Sequence, residues 1–152
     1  MPKNDTPEKV YDDLLSKGFY IDTELDNEEI KKRLIMAAED YLTGKEYRKG
    51  PAINYRIIFN IHYDVIRELC EILMASKERK ISNHQGLFAF IILNFPELDF
   101  DWNFLEEIRT IRNRNKYDGI DITKETWKHV ELPFDLYISA LKKEIETKLK
   151  NL

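Results

Sequence analysis

Cysteine is nearly missing from this chain of 152 residues: Cys70 stands alone. No intrachain disulfide can form, and no thiolate-based zinc site can be built from this chain by itself. The usage suits a reducing cytoplasm, which is the expected location. Glycine and proline are scarce, five of each, which disfavours a turn-rich sandwich or a disordered chain. Long apolar runs are also lacking. The longest, Leu87 to Leu93, falls far short of a membrane span, and the opening Met1-Pro2-Lys3-Asn4-Asp5 has no signal-peptide core, so no membrane association is expected. There is no Gly-rich phosphate loop, no Gly-x-Ser-x-Gly and no Cys/His nucleophile pattern. The three histidines, His62, His84 and His129, form no metal-ligand spacing with each other or with acids, so neither metal nor cofactor is expected. A net charge of -4 excludes a protein coated in positive charge but leaves room for a local basic patch.

What is present is helical periodicity, in a length that fits one domain over residues 1–152. Thr6 and Pro7 open a first helix that Gly18 ends, with Val10, Leu14 and Leu15 as its apolar face. Asp26 and Glu29 form a capping box for a second helix, which carries Ile30, Leu34, Ala37, Ala38 and Tyr41 and runs to about Arg48, before Lys49-Gly50-Pro51. The third helix is the clearest. Ile53, Ile57, Ile58, Ile61, Val65, Leu69, Ile72, Leu73 and Ala75 recur at three- and four-residue steps, marking a central helix. The charged turn Lys77 to Lys80 leads to a fourth helix capped by Ser82 or Asn83, apolar nearly all round and therefore buried on several sides or covered by a partner. Beyond Pro96 an acidic-aromatic loop, Glu97 to Trp102, caps a fifth helix with a stripe of Phe104, Ile108, Ile111 and Asn115, ended by Gly119. Its carboxylates lack calcium-loop spacing. A last helix starts at Thr123 and carries Phe134, Ile138, Leu141, Ile145 and Leu149, with Pro133 inside it forcing a kink or a break. The expected fold is all-α, an up-and-down bundle of five to six helices.

The fifth helix carries Arg109, Arg112, Arg114 and Lys116 with no acid among them from Arg109 to Lys116. Arg109, Arg112 and Lys116 share one face while Phe104, Ile108 and Ile111 face the core. Such a stripe suits phosphate oxygens, because a guanidinium offers paired donors and keeps its charge. It equally suits a solvated helix end, where cations complement the dipole and Glu106 or Glu107 pairs with the arginines.

The segment Ile108 to Gly119 resembles the late-helix motif of HEPN domains (higher eukaryotes and prokaryotes nucleotide-binding): Arg, often Asn, three residues, then His, with a Tyr-ending version also found. The Arg112-Asn113 pair is its sharpest point. Ile30 to Leu42, the helix through Asn54 to Met74 and the Ser82-Asn83-His84 helix start also fall where HEPN proteins have them, so the likeness covers about residues 26 to 150. It implies a homodimer that brings two arginine segments into one cleft. It further implies binding of RNA, nucleotide or another phosphate-bearing ligand, metal-independent RNase activity in catalytic members, and in some members a toxin-antitoxin role beside a small nucleotidyltransferase. By this resemblance Arg109, Arg112, Asn113 and Lys116 hold the anion and Tyr117 donates a hydrogen bond, Arg112 and Tyr117 being the catalytic pair only if the protein is an RNase.

Tyr117 stands where catalytic members have histidine, and a phenol keeps its proton up to about pH 10, which makes it a poor general base. Binding with weak or absent cleavage is therefore expected. Residues five apart on a helix also diverge by roughly 140°, so Arg112 and Tyr117 are expected to share a site only if the helix ends or distorts between them. His62 reads as a structural or surface residue, His84 as a cap-region hydrogen-bonder or a cleft residue, and His129 as a solvent-facing polar residue or a site member. Tyr41, Tyr47, Tyr55 and Tyr63 read as packing residues at the core edge. The rivals to a phosphate binder are an RNase toxin and a protein-binding module whose basic stripe meets an acidic partner.

Overall fold

The computed structural model describes residues 5–50 and 53–149. Six α-helices run in the order α1 (Pro7–Ser16), α2 (Asn27–Tyr47), α3 (Tyr55–Ala75), α4 (His84–Asn94), α5 (Trp102–Asp118) and α6 (Lys124–Lys148). A short antiparallel pair, β1 (Ile21–Asp22) and β2 (Arg79–Lys80), and a 3-10 turn at Pro96–Leu98 complete the described residues. The fold is an all-α bundle, as expected.

Each helix begins where a short polar side chain takes up an orphan backbone donor. Thr6 accepts from the Lys9 N–H, Asp26 from Glu29, Asn54 from Ile57, Asn83 from Gly86, Asp101 from Asn103 and Thr123 from Thr126. Such caps contribute about 1 kcal/mol each. Gly119, at φ +68°, closes α5 by donating its N–H to the Arg114 carbonyl; Pro51 lies outside the described residues.

Helix α3 is the hub, packing against α2 and α6 most extensively and against α4 and α5 as well, while α1 lies on α4. The buried face of α3 runs through Ile58, Phe59, His62, Tyr63, Ile66, Leu69, Cys70 and Leu73. Ile57 is instead 39% exposed, and Ile53 precedes the helix. Leu15, expected on the inner face of α1, is exposed, because Val10 and Leu14 complete that contact. On α5 the deepest residues are Leu105, Glu106 and Ile108, with Phe104 and Ile111 half-buried beside them. Helix α4 is covered by its own chain: Leu87 to Ile91 are buried under α1, α3 and α5.

Of the kink or break expected at Pro133, the break does not occur: α6 continues from Lys124 to Lys148. Proline forfeits one backbone bond, but Val130, Phe134 and Ile138 on either side are fully buried, and Phe134 packs edge-on against Phe59. The burial of those large side chains outweighs the one lost hydrogen bond. The strand pair is short. Ile21 and Lys80 pair in register, as do Asp22 and Arg79, in segments too short to show alternation. Tyr20, buried beside this pair, donates its hydroxyl to the Gly86 carbonyl at 2.7 Å. Gly86 has no room for a side chain, since a Cβ there would lie 2.6 Å from Leu14 and 2.7 Å from Ile81.

Candidate functional site

The N-terminal end of α4 and the second half of α5 enclose an open cleft of about 300 Å³. Helix α4 and its cap contribute Ser82, Asn83, His84 and Gln85; α5 contributes Arg109, Arg112, Asn113 and Tyr117. Asn83 has already satisfied the Gly86 N–H. The N–H groups of His84 and Gln85, in the first turn, have no carbonyl four residues back within the helix.

The cations along α5 differ in what they face. Arg109 is engaged: its Nε and Nη2 donate to the two carboxylate oxygens of Glu106 at 3.0 and 2.8 Å, a bidentate pair. Glu106 is 6% exposed and also accepts from the Gln85 amide at 3.0 Å, which ties α5 to α4. Arg112 has no carboxylate within 4 Å among the described residues. It donates to the neutral Asn113 side chain at 3.2 Å, and its guanidinium carbon lies 5.6 Å from the Tyr63 ring centre and 6.0 Å from that of Tyr117. Two aromatic faces therefore hold the guanidinium without neutralising it. Lys116 likewise lacks an acidic partner among the described residues and sits 6.0 Å from the Tyr117 ring. Arg114 lies elsewhere, lining a groove with Thr110, Glu125 and His129.

Arg112 and Tyr117 thus share the cleft although α5 runs unbroken to Asp118, so no helix end between them is needed. Tyr117 is 69% exposed at the rim, and the long arginine side chain covers the angular gap. His129, whose ring is bonded to Glu107 at 3.2 Å, is not in this cleft.

His84 is. Its Nδ1 lies 3.0 Å from the hydroxyl of Tyr63, a residue that is fully buried. Burial pushes the Tyr63 phenol above its usual range, so it keeps its proton. With no other partner in reach, that hydroxyl donates to His84 Nδ1. The remaining proton of a neutral His84 is then on Nε2. Burial, followed by the fields of Arg112, Arg67, Lys116 and Arg109, lowers the His84 pKa to about 4, so the ring is neutral at pH 7. A neutral ring in this tautomer offers a donor and not a base at Nε2. Tyr63 and Gln85 were not legible as site residues: only the helix-start signal at Ser82-Asn83 hinted that α4 presents polar groups here.

No family model, curated protein or solved structure matches this chain. The case for function rests on the side chains themselves.

Two other polar regions compete with the cleft. A larger cleft of about 560 Å³ lies between the strand pair and α2–α3, but its arginines are already matched, Arg33 by Glu68 and Glu71 and Arg79 by Asp22. The other is a buried network joining α2, α3 and α6. His62, wholly buried, donates from Nδ1 to the Ile58 carbonyl at 2.7 Å and accepts at Nε2 from Arg48 at 2.6 Å. Arg48 also donates to both oxygens of Asp135, at 2.6 and 2.9 Å, and Tyr41 donates to the same carboxylate at 2.7 Å. Gly44 leaves space for this arrangement, because a Cβ there would lie 2.8 Å from the His62 ring. Among the described residues no group of His, Cys, Asp and Glu has the arrangement of a metal site, and no helix is long and apolar enough to cross a membrane.

Proposed function

We propose that the α4–α5 cleft of a HEPN-type domain binds RNA, a nucleotide or another phosphate-bearing ligand, with Arg112 as the anchoring cation and little or no cleavage. The observation that carries this is the state of Arg112: half-buried, held between Tyr63 and Tyr117, and unmatched by any carboxylate among the described residues. A guanidinium so placed keeps its charge and its paired donors available to an anion from solution. The surrounding groups are donors of the right kind: Asn113 steadies the guanidinium, His84 presents an Nε2–H, and Lys116 adds charge nearby. Arg109 has a different place. Its pair with Glu106 braces the cleft wall and leaves it as a secondary contact.

The RNase reading has one specific observation in its favour, since His84 shares the cleft with Arg112. Proton abstraction from a ribose hydroxyl needs a basic nitrogen facing the ligand, whereas the Tyr63 hydrogen bond places the proton on Nε2, so the geometry favours holding over cutting. The HEPN reading also carries a two-fold dimer and a nucleotidyltransferase or toxin-antitoxin partnership, for which sedimentation and co-purification are the direct checks.

The deciding experiment is oligoribonucleotide binding and cleavage with EDTA present, on wild type and Arg112→Ala. Intact bound RNA, affinity falling steeply with salt as counterions are released, and loss of binding in the variant support the proposal. Metal-independent cleavage abolished in Arg112→Ala would move the protein to the RNase class. Absence of both binding and cleavage leaves a protein-binding module.

A further inference from the structure

The phosphate reading of the cleft leaves open which phosphate fits, and the charges around it discriminate. Arg67, whose field reaches His84 from α3, is matched by Glu71 at 2.8 Å, and Arg109 is matched by Glu106. His84 is neutral. Of the four cations whose field reaches His84, Arg112 and Lys116 are the two with no acid within 4 Å among the described residues. A phosphodiester inside a strand carries one negative charge and two free oxygens. A terminal phosphate monoester carries nearly two charges above its second pKa of about 6, and three free oxygens.

Resting on the proposal that this cleft takes phosphate, we infer that it is selective for a terminal phosphate monoester, the end group of a nucleotide or of a phosphorylated RNA, over an internal phosphodiester. The charge count matches the dianion, and the donors are numerous enough for three oxygens: the Arg112 guanidinium, His84 Nε2–H and the first N–H groups of α4. Size agrees. At about 300 Å³ the cleft is at the small end of ligand sites, with room for an end group and its sugar. Tyr117 at the rim then lies where the attached base would emerge.

The test compares one six-nucleotide RNA in three forms, unphosphorylated, 5′-phosphorylated and 3′-phosphorylated, by fluorescence anisotropy at pH 7.5 with EDTA, using wild type, Arg112→Ala and Lys116→Gln. One extra unit charge at cleft distances is worth about tenfold in affinity, so at least one phosphorylated form is expected to bind about tenfold more tightly than the unphosphorylated form. Lys116→Gln, on an exposed side chain, should shrink that ratio to about threefold while leaving thermal stability unchanged. Equal affinity for all three forms, lost in Arg112→Ala, overturns the end-group inference and leaves the phosphate site standing. A preference that survives both substitutions places the end-group site elsewhere and overturns the inference as well. No binding of any form takes down the inference and the phosphate reading together.

Discussion

The chain contains two arginine–histidine clusters built from the same residue types but compensated differently. Around Arg48 and His62 every charge is answered: Asp135 takes two guanidinium hydrogen bonds, Glu131 lies within 3.8 Å, and Tyr41 and the Ile58 carbonyl satisfy the rest. Only Arg48 Nε is left buried without a partner. Around Arg112 and His84 the positive charge is left open to solvent, and aromatic rings stand where carboxylates would be. Both histidines are neutral, with pKa lowered to about 4, chiefly by burial. What separates the clusters is the counter-ion: Arg48 has Asp135 beside it, and Arg112 has no carboxylate within 4 Å among the described residues. If the first cluster serves folding and the second serves the proposed phosphate binding, substitutions should divide accordingly.

The largest effect is expected from emptying the closed cluster. Asp135→Ala leaves Arg48 with only the distant Glu131 carboxylate. Removing one member of a buried pair exposes the full desolvation cost of the other, and since Asp135 is partly exposed the low end of the usual range applies, about 3 kcal/mol. For a domain of this size that corresponds to a melting temperature lower by about 10 °C, read by calorimetry. A melting point within 2 °C of wild type, on the order of the smallest shift such a scan ties to 1 kcal/mol, would remove the structural role given to this network.

Acid should reach the same cluster without mutation. His62 is wholly buried and its pKa is about 4, against about 6.5 in the unfolded chain, so between those values the unfolded state binds the extra proton. The contribution is complete above pH 6.5 and is lost as pH falls toward 4, a decline of about 3 kcal/mol. Asp135 adds in the same direction at lower pH: burial opposes its ionisation, but the hydrogen bonds from Arg48 and Tyr41 hold its pKa below the ordinary value. His84 titrates in the same window, but it is half-exposed and solvent screens its share. Urea unfolding at pH 7 and pH 4.5 measures the slope, and a flat profile would contradict a neutral, buried His62.

Much of the frame was legible because it is local. Capping residues and the three- and four-residue spacing on α3 point to helices wherever their neighbours lie: Thr6, Asp26 and Thr123 cap where the sequence puts them, Asn83 settles the choice at α4, Asp101 is the capping residue of the acidic loop, and Asn54 caps α3 without having been singled out. The basic face of α5 was legible for the same reason. What each arginine meets was not, because it depends on contacts distant in sequence: Gln85 with Glu106, Tyr63 with His84, Arg48 with Asp135. Periodicity places His62 one step from the apolar face of α3, and only the arrival of Arg48 from α2 makes its burial tolerable. Pro133 does not end α6, because the helix-breaking rule weighs one backbone bond and omits the aromatic packing around Phe134.

In the open cluster, substitutions should change affinity far more than stability. Arg112→Ala removes a charge-assisted anchor, which predicts a loss of about 10- to 100-fold in oligonucleotide affinity. Its unfolding free energy should change by less than about 1 kcal/mol, since no buried carboxylate is orphaned. A melting point as depressed as that of Asp135→Ala would erase the distinction between the clusters.

The smallest expected effect is also the most discriminating about the ligand. Tyr117 is exposed, pairs with no acid and packs only loosely against Arg112 and Lys116, so Tyr117→Ala should leave folding unchanged. If a base stacks on that ring, the variant loses about 1 kcal/mol, or roughly fivefold, against an oligonucleotide. Inorganic phosphate has no base and should bind wild type and variant alike. Measuring both ligands by calorimetry separates the rim from the floor of the cleft. A fivefold loss confined to the oligonucleotide assigns Tyr117 to the base and Arg112 to the phosphate. An equal loss for both ligands would instead make Tyr117 a support for the guanidinium, so that the cleft recognises the phosphate alone.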